Sequence, residues 1–157
     1  MTGEISADSM FAEDGMDLYM RQAPEPFRQN GQVMHRAFIP RRDDNGRLSG
    51  NLRSVTSAQV ASEYRAAARE RAPQHVWGLS LEEVENAGLN VVDDSSEIPD
   101  LPVPPGHASL DYSALLGEEN SSHLVEDTAA DFAILANNRG RLYPAPDLGS
   151  AQGTMIH

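Results

Sequence analysis

Two residue types are missing from this 157-residue chain: it has no lysine and no cysteine. Without cysteine there can be no disulfide, thiolate nucleophile or thiolate zinc site. The lack of lysine rules out Schiff-base chemistry, a P-loop lysine and a lysine general base. Long apolar runs are absent too, none approaching the ~20 residues of a membrane span. Aromatic residues make up 6% of the chain, with a single tryptophan, Trp77. Met1-Thr2-Gly3-Glu4 has neither a basic n-region nor an apolar h-region, so no secretory signal is expected and the location expected is cytoplasmic.

Charge is abundant, and mostly of one sign. Twenty-four acidic residues against twelve basic ones leave a net charge of −12. Nucleic-acid affinity comes from basic patches that release counterions, so no nucleic-acid partner is expected. A protein with a basic surface fits this balance better. All twelve basic side chains are arginine. Base composition of the genome explains that blandly; the functional alternative is that arginine forks are wanted for carboxylate or phosphate recognition.

The strongest local signals lie between His75 and Asp94. His75-Val76-Trp77-Gly78-Leu79 reads as a strand. Ser80 and Glu83 form a capping box, with Leu79 and Val84 as its hydrophobic staple. Leu81, Val84 and Ala87 share one helix face, and Gly88 offers the left-handed position that ends the helix. Leu89 to Val92 reads as a second strand. Trp77 is expected in the core.

Elsewhere the signals are weaker. Residues 1–31 read as an acidic, weakly structured segment that orders on a partner, or as a short helix from Ser9 to Arg21. Alternation from Val33 to Ile39 suggests a strand. Asn45-Gly46 marks a turn; the preceding Asp43-Asp44 lacks the spacing of a calcium loop. Thr56 with Gln59 suggests a helix start, with Val55 and Val60 as staple and Val60, Tyr64, Ala67 and Ala68 as the buried stripe. Arg69 and Arg71 suit the negative end of that helix. Residues 93–106 form a loop rich in acid and proline. His107 to Tyr112 reads as a strand with Ala108, Leu110 and Tyr112 inward, leaving His107, Ser109 and Asp111 on the opposite face. Leu124, Thr128, Phe132 and Leu135 recur at helical spacing up to Gly140. Leu142-Tyr143 suggests an edge strand, and residues 145–157 a tail.

These readings assemble into an α+β fold: a small mixed sheet with about three helices packed on one side, spanning residues 32–144. The row His107, Ser109, Asp111 has the residue types of a hydrolytic triad, but neighbours on one strand face project in parallel about 7 Å apart. They cannot converge as a triad must. The candidate catalytic residues are therefore His107 as a titrating group, Asp111 and Arg36; the candidate binding residues are Ser109, Asp93, Asp94 and Glu97. Combinations of His35, His75 or His107 with the acids near Asp94 lack metal-site spacing, so no metal or cofactor is expected.

Two resemblances add to this. Arg36, Ser49 and Ser57 resemble the order of an early arginine and a following serine segment in ADP-ribosyltransferase-type domains; that family's closing glutamate motif has no counterpart here. Phe38-Ile39-Pro40-Arg41, Leu48-Ser49, Trp77-Gly78-Leu79-Ser80 with Glu83, Ala87-Gly88-Leu89 and Pro105-Gly106-His107-Ala108 resemble small bacterial proteins, over about residues 34–143. That likeness implies a compact bacterial domain and no activity. The expected function is a non-enzymatic binding or accessory protein acting through an acidic surface. The alternative is a small transferase or hydrolase with a pocket around Arg36 and His107.

Overall fold

The computed structural model describes residues 17–41, 45–94 and 106–144. In chain order they form β1 (Leu18–Ala23), β2 (Arg28–Gln29), β3 (Gln32–Val33), β4 (Arg47–Leu52), α1 (Ala58–Arg69), β5 (His75–Ser80), α2 (Leu81–Asn86), β6 (Asn90–Val92), β7 (His107–Asp111), α3 (Ser113–Leu116) and α4 (Ser121–Arg139). Five strands make one sheet in the order β5-β1-β4-β7-β6, and β2 and β3 form a separate hairpin. The fold is α+β. Where a mixed sheet was expected, every pairing is antiparallel. Among the described residues no helix is long and apolar enough to cross a membrane.

The two faces of the sheet differ in character. On one, Tyr19, Leu48, Trp77, Leu79 and Leu110 pack with Val84 of α2 and with Val125, Ala129 and Phe132 of α4. Phe132 meets Phe38 and Tyr112 edge-on, with ring centroids 6.2 and 6.4 Å away. Such pairs contribute beyond area burial alone. The other face is smaller: Leu18, Met20 and Val76 pack with Ala58 of α1. Helices thus lie on both sides, α2, α3 and α4 on one and α1 on the other.

The unit from His75 to Val92 has the expected form. Ser80 Oγ accepts from the Glu83 N–H at 3.0 Å, and Glu83 Oε1 accepts from the Ser80 N–H at 2.8 Å. Gly88 adopts φ +84°, the left-handed turn that ends α2. Trp77 is 1% exposed. Arg139 at the end of α4 grips the Glu83 carboxylate with both ends of its fork, at 2.8 and 3.1 Å. Burial alone would push the Glu83 carboxyl up; the hydrogen bonds from Arg139 and Ser80 reverse this and hold it below the ordinary value.

Other expectations fail for identifiable reasons. The segment read as weakly structured contributes β1, an interior strand, from Leu18 on. Residues 1–16 and the 145–157 tail lie outside the described residues. Val33 to Ile39 is not a strand: β3 ends at Val33 and His35–Phe38 is a 3-10 turn. Ala37 and Phe38 are both fully buried, which consecutive residues of a one-sided strand could not be. Asn137 of α4 closes the edge of β3, accepting from the Val33 N–H and donating to the Val33 carbonyl, each at 2.9 Å.

The first long helix starts one residue later than expected. Ser57, not Thr56, is its N-cap, accepting from the Val60 N–H at 3.1 Å. Its buried face is also different. Ala58, Ala61, Ser62 and Ala66 are covered, while Val60 and Tyr64 stand 51% and 42% exposed and Val55 54%. Small residues bring the first half of the helix close to the sheet, and that choice of face leaves Arg65 half-buried and Arg69 exposed.

Candidate functional site

The sheet is split near its middle. β1 pairs with β5 along its whole length, from Leu18 to Ala23. β4 pairs with β7 from Arg47 to Asn51. Yet β1 and β4 pair only at Tyr19↔Leu52 and Met20↔Asn51. Beyond Met20 they diverge, and side chains take over the freed carbonyls, as buried backbone groups require. The Tyr19 hydroxyl donates to Leu48 O at 2.6 Å, and Arg21 donates to Ser49 O at 2.9 Å and to Ala37 O at 2.8 Å. Burial raises the Tyr19 phenol far above its ordinary pKa, so it remains a donor. Gly50 sits at the fork: a Cβ there would collide with the Met20 carbonyl and the Tyr19 ring.

A cleft of about 420 Å³ occupies this split. That lies within the range of small-molecule sites. Arginines dominate its wall: Arg21 from β1, Arg41, Arg65 and Arg69 from α1, and Arg71 just beyond. Five of the chain's twelve arginines therefore surround one cavity in a protein of net charge −12, and no aspartate or glutamate is among the described residues lining it. Among those residues Arg65, Arg69 and Arg71 form no salt bridge. Burial first, and then the like charges of Arg69, Arg21 and Arg71, push the Arg65 guanidinium down from its ordinary value to about 10. It is still a cation at neutral pH, held where the fold opposes its charge. This penalty is present below about pH 10, and a bound anion would relieve it.

The cleft also holds unmet hydrogen-bonding capacity. Asn51 is 5% exposed, and its Nδ2 has no partner among the described residues. Gln22 donates to the Ala61 carbonyl at 3.2 Å, but its buried Oε1 has no partner among them either. Both side chains line the cleft. Buried polar atoms without partners are rare, and each calls for an explanation.

The residues singled out from sequence fall elsewhere. Arg36 is exposed, its guanidinium 5.9 Å from the centre of the Phe27 ring. Asp111, partly exposed, accepts from the Ser113 N–H at 2.9 Å and so starts α3. His107 and Ser109 are 3% and 2% exposed, and they converge on Asp94, itself 4% exposed. His107 donates its Nδ1–H to Asp94 Oδ1 at 2.8 Å, and Ser109 Oγ donates to Asp94 Oδ2 at 2.7 Å. Arg47 stands 3.6 Å from the same carboxylate. A carboxylate only accepts, which fixes the histidine tautomer. The serine is thus bonded to the aspartate and not to the imidazole, unlike the order of a hydrolytic triad. Asp93 is exposed, and Glu97 lies outside the described residues. Arg36, His107 and Asp111 are not among the residues that line the cleft.

The two polar clusters nevertheless sit on neighbouring strands, β4 and β7. Asn51 is the cross-strand partner of His107, and Ser49 of Ser109, so the Asp94 cluster lies one strand away from the cleft wall. Of the other histidines, His35 is exposed, and His75 lies 3.3 Å from Arg28. Burial lowers the His75 pKa, helped by Arg28 and Arg141. No group of three or more His, Asp or Glu among the described residues is placed to hold a metal ion.

No protein-family model, curated protein or solved structure matches the chain.

Sequence reasoning missed the cleft. The signal available is the run Arg65, Arg69, Arg71 in a lysine-free chain, of which Arg69 and Arg71 read locally as suiting the helix dipole.

Proposed function

We propose that this protein is a binding protein whose site is the arginine cleft and whose ligand is a small, multiply charged anion. The arginine wall carries this reading. Arg65, Arg69 and Arg71 stand together at the cleft wall without a salt bridge among the described residues, and guanidinium forks match the oxygens of phosphate and carboxylate. An acidic exterior that meets a basic protein remains compatible with this reading. Drawing five of twelve arginines into the cleft leaves seven to offset 24 acidic residues.

Thermal unfolding of the full chain with phosphate, pyrophosphate or citrate, at constant ionic strength set with chloride, tests the proposal. A ligand at about 100 times its Kd should raise Tm by roughly 5–10 °C. Arg65→Gln and Arg69→Gln should each weaken binding by about tenfold or more. Equal shifts with chloride and with the polyanions, unchanged in the variants, would refute the site.

A further inference from the structure

Resting on that reading, the geometry points to a phosphorylated nucleoside as the ligand class. The cleft has three kinds of wall, and a bare anion would use only one of them. Arg65, Arg69 and Arg71 offer a place for phosphate. Pro24, Phe27, Ile39 and Leu48 supply an apolar, partly aromatic wall, to which an inorganic anion brings nothing. Asn51 Nδ2 is a donor and Gln22 Oε1 an acceptor, both buried and both without partners among the described residues.

An occupant that satisfies all three needs negative charge, a flat apolar body, and an edge bearing one acceptor and one donor. A nucleobase has that edge and that body, and its 5′-phosphate supplies the charge. Flat bases stack on aromatic rings and guanidinium planes, and Arg and Phe side chains are both present here. Asn and Gln amides read base edges through paired donor and acceptor groups. A site with unfilled hydrogen-bonding groups discriminates strongly, because an analogue lacking the matching groups leaves them buried and unpaired.

The test is calorimetric titration of the full chain with pyrophosphate, ribose 5-phosphate and the common nucleoside 5′-monophosphates. At least one nucleotide should bind about tenfold or more tightly than ribose 5-phosphate. Asn51→Ala should erase most of that preference, lowering nucleotide affinity by a larger factor than pyrophosphate affinity. Should that variant fold poorly, the side-chain amide resonances of Asn51 and Gln22 in the native protein serve instead; they should shift with the nucleotide and not with pyrophosphate. Nucleotides binding no more tightly than ribose 5-phosphate, with those amide signals unmoved, would overturn the inference. In that event, phosphate binding sensitive to Arg65→Gln would leave the anion site standing. If none of these anions bound, the site itself would fail, and this inference with it.

Discussion

Replacing Asp94 with alanine is expected to lower the stability of the fold by about 3–5 kcal/mol, the cost of breaking a buried charged group's network. The carboxylate accepts from His107 at 2.8 Å and from Ser109 at 2.7 Å, and all three residues are under 5% exposed. A hydrogen bond to a charged group contributes about 1.5–3 kcal/mol, and a buried donor left without its acceptor adds a desolvation penalty. Alanine removes both acceptors at once and leaves an imidazole and a hydroxyl buried together. Asp94→Asn keeps the shape but turns one acceptor into a donor, so about half that loss is expected. Urea denaturation measures both. A loss below about 1 kcal/mol for the alanine variant, within the range of ordinary surface changes, would mean that the cluster is open to water. Asp94 also ties the end of β6 to β7, so the variant should lose hydrogen-exchange protection first around Asn90–Val92.

Trp77→Ala should cost about as much, roughly 3–5 kcal/mol, by removing a large buried ring and leaving a cavity. Trp77 lies in the main core, 1% exposed, between the sheet and α4. The cavity would open beneath α4, the long helix that covers that face among the described residues, and close packing leaves little to fill it. Far-UV circular dichroism is the appropriate probe, since the substitution removes the only tryptophan. In the native protein its emission should be blue-shifted and poorly quenched by iodide. Red-shifted, readily quenched emission would contradict the fold.

What could be read locally came through well. The Ser80–Glu83 capping box, the Gly88 stop, the strand at His75 and the inward set Ala108, Leu110 and Tyr112 all depend on neighbours within a few residues, and the structure has each of them. β1 escaped notice because an interior strand covered on both faces need not alternate; Leu18, Tyr19 and Met20 are buried in succession. The 3-10 turn at His35–Phe38 reads as a strand in sequence because its spacing imitates period two.

The candidate site shows the same division. The row His107, Ser109, Asp111 and the separate acid Asp94 were each visible, but not their meeting. That depends on where β6 ends beside β7. The arginine cleft lay further out of reach. It needs β1 and β4 to part after Met20, and α1 to bury alanines so that Arg65 and Arg69 line the opening. Sequence alone determined the composition, the α+β class and the capped unit around Trp77, because capping and patterning act over a few residues. Only the tertiary structure decided which face of α1 is covered and where five arginines gather, because those outcomes depend on contacts between segments 20 to 50 residues apart.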